Sequence, residues 1–165
     1  MEAAAWGLIG TIIGALASVL TSFLAFKNQA WLHKQSTEQE RDSKRRDFQR
    51  ETLLELQDVI HDLMRLITQG HLEDVKAHLL GGKWGKNFIS EEINEGQRLA
   101  RRKLIILIER VADDKLREHL KELNRALPSQ SNTPSMEHAE IEIYDSANRV
   151  TKVMNHLGEV LRKQY

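Results

Sequence analysis

The chain has no cysteine and only two prolines among its 165 residues. Without cysteine there is no disulfide framework, no thiolate metal site and no cysteine nucleophile. Such a composition agrees with a reducing compartment. Scarce proline, 5% aromatic residues and the lack of any alternating Val/Thr/Tyr run argue against β architectures. Charge of one sign is also missing. The 24 basic and 24 acidic residues cancel, so nothing pulls the whole chain toward nucleic acid or acidic lipid. No G-x-S-x-G and no Gly-rich phosphate loop occurs, which removes the serine-hydrolase and P-loop chemistries. What is plentiful is Leu, Glu, Lys, Arg and Gln, so the fold class is all-α. The length suits one compact domain plus an anchor.

The anchor is the first 26 residues. From Ala3 to Phe26 there is no charged residue, and a helix of that length spans roughly 36 Å, enough to cross a hydrocarbon core of about 30 Å. A cleaved signal peptide would need a basic start and a shorter apolar core. Here Met1 and Glu2 precede a longer one, so a retained transmembrane helix over 1–26 is expected. Lys27, Lys34, Arg41, Lys44, Arg45, Arg46 and Arg50 follow it. Basic residues stay on the cytoplasmic side. The expected placement is therefore single-pass in a bacterial inner membrane, N-terminus outside, with residues 27–165 cytoplasmic. Lys27, Trp31 and His33 suit the headgroup boundary.

Within this span Gly10, Gly14, Ser18 and Ser22 recur every fourth residue, beside a second row of Ala3, Gly7, Thr11 and Ala15. In lipid, helices associate where small side chains let backbones approach. Gly7, Gly10, Thr11, Gly14, Ala15, Ser18 and Ser22 are thus the candidate surface for homo-oligomerisation in the bilayer.

Residues 27–50 form a polar juxtamembrane stalk. Thr37-Glu-Gln-Glu40 matches a capping box, so either a new helix starts near Ser36 or the stalk runs on unbroken. Residues 51–165 read as a helical bundle of three long and two short helices. Leu53, Leu56, Ile60, Leu63 and Ile67 make the first apolar row, which Gly70 is expected to end. A short helix, 72–80, is stopped by Gly81-Gly82. Ser90, Glu91 and Glu92 open the next long helix, with a stripe of Ala100, Leu104, Leu107 and Val111 widened by Ile105 and Ile108. Asp113-Asp114 starts a helix that ends before Pro128. After the loop PSQSNTPS, Ser135 caps a last helix with the row Ile143, Ala147, Val150, Met154, Leu157 and Leu161. The first and last rows either face each other or serve contacts between subunits.

Candidate chemistry is sparse. Asp58-x-x-His61 has the spacing of half a di-iron carboxylate site, but no Glu-x-x-His partner exists. Asp74 and His78, one turn apart, read as charges on a solvated face, and neither a metal nor another cofactor is expected. Two basic clusters stand out: Arg41, Lys44, Arg45, Arg46 and Arg50, interleaved with Asp42 and Asp47, and Arg98, Arg101, Arg102 and Lys103. Neither includes stacking aromatics, so nucleic acid is not an expected partner. Trp84 and Phe88, in the loop KWGKNF, either plug the end of the bundle or contact a cytosolic protein partner or the membrane interface.

Two Arg–His pairs remain, Arg65 with His71 and Arg149 with His156. Their spacing is similar to that of the HEPN superfamily of helical ribonucleases, where Arg holds the scissile phosphate and His moves a proton. With 13 Arg and 7 His in the chain, random placement yields roughly one to two such pairs. The pair Arg149/His156 lies inside a long helix, with Asn148 before the Arg and Val150 after it. The opening WGLIGTIIGALASVLTSFLAFKNQ is similar to bacterial single-pass membrane proteins with a cytosolic helical bundle. The layout of the whole chain resembles the HEPN-like membrane-pore accessory proteins of type VI-B CRISPR systems. That resemblance implies an oligomeric pore in antiphage defence, membrane permeabilisation rather than RNA cleavage, and Arg149 with His156 as a remnant motif. The expected function is a membrane-anchored, homo-oligomeric pore or membrane effector that is not an enzyme. The alternatives are a tethered HEPN-like ribonuclease using Arg149 and His156, or a scaffold that recruits a cytosolic protein.

Overall fold

The computed structural model describes residues 2–85, 89–128 and 134–165; the side chains of residues 2–13, 15–17, 20 and 30 are outside that description. Among the described residues there is no strand. Four helices follow in order: α1 (Glu2–Leu79), α2 (Glu91–Arg110), α3 (Asp114–Ala126) and α4 (Met136–Arg162). The chain divides into two compact units, Met1–Arg45 and Arg46–Tyr165.

The all-helical expectation holds, but the number of helices is smaller. The segments expected as anchor, stalk, first row and short helix after Gly70 are one element, α1. The capping-box residues show why no break occurs at Ser36. The Thr37 hydroxyl donates 2.8 Å back to the His33 carbonyl, and Glu40 pairs with Lys44 at 2.7 Å. Both are contacts of a helix interior. The Lys44 ammonium, hydrogen-bonded to the Glu40 carboxylate, holds its pKa below the usual range. Gly70 does not stop the helix either. It is buried and not among the residues with positive φ, so it costs only the propensity penalty of about 1 kcal/mol. Gly81, at φ +94°, is the true stop. There the N–H groups of Gly81 and Gly82 donate to the carbonyls of His78 and Ala77, satisfying groups that a helix end leaves open.

The second unit holds the core. Leu53, Leu56, Ile60, Leu63 and Ile67 of α1 are all buried, as their spacing predicts, together with Leu104, Leu107 and Ile108 of α2, Leu116, Leu120 and Leu123 of α3, and Val150, Val153 and Leu157 of α4. Each such side chain contributes roughly 1.5–3 kcal/mol by leaving water. Two stripes differ from expectation. On α2, Ile105 is 50% exposed, so the buried face is narrower. On α4, Ala147 is exposed and Ser146 is buried. The Ser146 hydroxyl is accommodated by donating 2.7 Å to the Glu142 carbonyl, which lets the helix turn Val153 and Val160 inward instead.

The connections are pinned by side chains. Asp113 caps α3 by accepting from the Leu116 N–H at 2.8 Å, and Ser135 caps α4 by accepting from the His138 N–H. Ser90 precedes α2 without a side-chain cap; its own N–H donates to Glu73 at 2.8 Å. Between α2 and α3, Gln49 uses both ends of its amide. It donates to the Arg110 carbonyl and accepts from the Ala112 N–H, each at 2.9 Å. Arg117 donates to the Val111 carbonyl at 2.8 Å. Arg101 closes the end of α3 by donating to the carbonyls of Asn124 (3.3 Å) and Pro128 (3.0 Å), and burial pushes its guanidinium pKa down. Gly96 lets α2 approach α1, since a Cβ there would sit 3.2 Å from both Leu66 methyls.

In the first unit several of the described apolar side chains face outward. Val19, Phe23, Leu24, Phe26, Trp31 and Leu32 are exposed, and Lys27 lies 5.8 Å over the Phe23 ring. Among the described residues no helix is long and apolar enough to cross a membrane. Most of the stretch 3–17 lies outside the described side chains.

The two faces of α2 are separable by mutation. Leu104→Ala should destabilise the second unit by about 2–5 kcal/mol, and Ile105→Ala by less than about 0.5 kcal/mol, read from denaturant unfolding monitored by circular dichroism. Gln49→Ala should cost about 1–2 kcal/mol because two backbone groups lose their partner.

Candidate functional site

The polar groups that converge in the second unit sit between α3 and α4. A cavity of about 290 Å³ opens there, lined by His119 and Glu122 of α3 and by Arg149, Lys152 and His156 of α4. Its apolar wall is Leu123 and Val153, both buried core residues. The two imidazoles touch across the helix pair. Their Nδ1 atoms are 3.0 Å apart, and the rings meet edge-on with centroids 5.0 Å apart at 62°.

The arrangement follows from helix geometry. His119, Glu122, Arg149, Lys152 and His156 each directly precede a buried residue: Leu120, Leu123, Val150, Val153 and Leu157. One residue back on an α-helix is a rotation of about 100°. All five therefore flank the core stripe of their own helix on the same side. Burying the two stripes brings the two flanks together.

Of the sequence candidates, the structure gathers Arg149 and His156 at this cavity. The other pair is separated in its contacts. Arg65 binds Asp62 (3.3 Å) and Gln69 (3.5 Å) along α1, whereas the His71 ring meets Trp84 at 5.8 Å. Trp84 is half-buried, with His78 on it as well at 5.9 Å. His78 Nδ1 lies 3.0 Å from the Gly82 carbonyl. Phe88 lies outside the described residues.

Asp74 departs from the expected solvated face. It is 6% exposed, and its Oδ1 is buried with no hydrogen-bond partner. Asp58 and His61 are exposed, and among the described residues no group of three His, Asp or Glu side chains could hold a metal ion. In the basic clusters, Arg50 pairs with Asp47, Lys103 with Glu55, and Arg98 with Glu95. Hydrogen bonding between the last two lowers the Glu95 pKa and raises that of Arg98. In the span, Gly14, Ser18 and Ser22 are exposed, and a Cβ on Gly14 would meet nothing within 4 Å. Gly7, Gly10, Thr11 and Ala15 lie outside the described side chains.

His119, Lys152 and Glu122 escaped the sequence reading because no motif links α3 to α4. The signal available was positional: polar, titratable residues one step before each core residue on two successive helices. Comparison with protein families, characterised proteins and solved structures returns no match, so the cavity is interpreted from its own chemistry.

His119 is exposed and His156 half-buried, so His119→Ala should cost no more than about 1 kcal/mol. Leu123→Ala, directly beneath, should cost about 2–5 kcal/mol. Thermal denaturation of the two variants checks that the lining can be altered without unfolding the wall.

Proposed function

We propose that this protein is a membrane-anchored helical bundle that self-associates through residues 3–26 and acts as a pore or membrane effector. The observation that carries the reading is the charge-free run itself, in which the described side chains of Val19, Phe23, Leu24 and Phe26 are exposed. Exposed apolar surface of that extent on one helix calls for lipid or another copy. The basic residues after it assign the bundle to the cytoplasmic side. The exposed Gly14, Ser18 and Ser22 are consistent with the row of small residues serving the contact between copies.

The wild-type chain should remain in the membrane pellet after carbonate extraction and give a crosslinked ladder. Gly10→Leu/Gly14→Leu should keep the pellet and lose the ladder, together with calcein leakage from reconstituted vesicles. Extraction of the wild type into the supernatant overturns the anchor. An unchanged ladder in the variant overturns self-association through this row.

One observation favours a second reading, a tethered phosphodiesterase of the ribonuclease type. Arg149 and His156 line a single cavity, with Lys152 as a further cation. A guanidinium suits a phosphate and an imidazole suits proton transfer. Single-stranded RNA incubated with the full chain should then be cut, and His156→Ala should abolish the cutting. Intact RNA with the wild type overturns this reading and leaves the first untouched.

A further inference from the structure

Arg149, Lys152 and His156 follow one another on α4 at steps of three and four residues. Side chains so spaced are neighbours on one helix face, roughly 5–6 Å apart at Cβ. All three line the cavity beside α3. Among the described residues neither Arg149 nor Lys152 has an ion pair or a hydrogen bond. The basic residues Arg117 and Lys121 of α3 differ, since they pair with Asp114 and Glu109. Glu122 lines the same cavity but pairs with neither cation. Two cations thus stand without a counter-charge in one concave place, which attracts an anion.

The histidine contact decides what else the row offers. The Nδ1 atoms of His119 and His156 are 3.0 Å apart and bonded to each other, so the two Nε2 atoms point away from one another. Only one ring can therefore meet a given anion. His156 is that ring, because it shares its helix face with both cations and is half-buried, whereas His119 is exposed. An anion only accepts, so it requires the N–H of His156 on Nε2. With both rings neutral, Nδ1 of His156 is then a lone pair, and the proton between the rings belongs to His119. His119 thus acts as a positioning residue: its Nδ1–H donates to His156 and keeps the His156 N–H on the side of the ligand.

The wall selects the rest of the ligand. Leu123 and Val153 form it, and both are buried core residues. A bare inorganic ion leaves that wall facing water. The volume of about 290 Å³ lies near the lower end of small-molecule pockets, roughly 300 Å³. A guanidinium fork and an ammonium side by side match two or three oxygens of a doubly charged head. We infer that the cavity binds a phosphate monoester carried on a small apolar body. Arg149, Lys152 and the Nε2–H of His156 hold the phosphate, and Leu123 and Val153 cover the body. Binding breaks no bond, so the inference stands apart from the ribonuclease reading.

The test uses the full chain in phosphatidylcholine nanodiscs, at about pH 8, above the ordinary imidazole range. Phenyl phosphate is the probe, read by isothermal titration calorimetry and by ¹⁵N spectra of labelled histidine. It should bind saturably, and inorganic phosphate should bind roughly tenfold more weakly for want of the apolar body. Arg149→Gln/Lys152→Gln should weaken phenyl phosphate at least roughly tenfold. Arg45→Gln/Arg46→Gln, which removes the same charge elsewhere, should leave it unchanged. In the complex His119 should carry its proton on Nδ1 and His156 on Nε2. His119→Leu should weaken binding roughly three- to tenfold, and His119→Asn, whose amide still donates, should restore it. No saturable binding, equal binding of inorganic phosphate, or an equal loss in Arg45→Gln/Arg46→Gln overturns the proposal. The reverse tautomers in the complex, or undiminished binding by His119→Leu, overturns the role given to His119.

Discussion

Leu53, Leu56, Ile60, Leu63 and Ile67 leave water together along one face of α1, and everything else in the second unit is arranged around that seam. Three- and four-residue steps keep the five on one side of the helix. Such a stripe is unstable alone in water and needs apolar surface from elsewhere. The shorter helices supply it with Leu104 and Leu107, Leu116 and Leu120, and Val153 and Leu157. Polar groups then fix what burial leaves free. Gln49 lies one turn before Leu53 on the same helix, and its amide holds the three-residue connection between α2 and α3. The seam and its clamp set where α3 begins, and hence which of its residues face α4.

The sequence made the core of α1 legible because its row is clean and its neighbours are polar. The caps at Asp113 and Ser135 were legible for the same local reason: a short acceptor side chain precedes three N–H groups without partners. Gly70 misled because glycine ends a helix only when its φ turns positive, as at Gly81, and composition does not reveal φ. Ile105 and Ala147 were expected in buried rows and are exposed, while Ser146 is buried. Ile105 is apolar but lies just beyond the arc that α2 can bury. Ser146 is polar but bonds its own helix at Glu142, which removes the penalty for burial. The cavity was half legible. Arg149 and His156 share a helix and so share a motif, while His119 belongs to a different helix and joins them only through packing.

Self-association as proposed bears on the cavity between α3 and α4. A span that gathers several copies in one bilayer raises the local concentration of whatever the bundles carry, and short tethers bring effective concentrations into the millimolar range. A weak phosphate site repeated around an assembly would then engage a polyanion far more tightly than one copy. Neutral overall charge, 24 against 24, fits that arrangement, because attraction would come from a local pair of cations on each copy and not from the protein at large.

The histidine pair sits beside the core. Both rings sit at the margin of the core, each one residue before a leucine that is fully buried. The backbone that carries them is fixed by Leu120 and Leu157, so their separation follows from how the two helices pack. Sites built on helices are held more closely than sites on loops. A rotation of α4 by one residue, about 100°, would carry His156, Arg149 and Lys152 away from α3 and would expose Val153 and Leu157. The core therefore resists the motion that would open the pair. Substitutions at the polar flank leave the apolar seam intact. The same packing that stabilises the fold thus places the two Nδ1 atoms 3.0 Å apart.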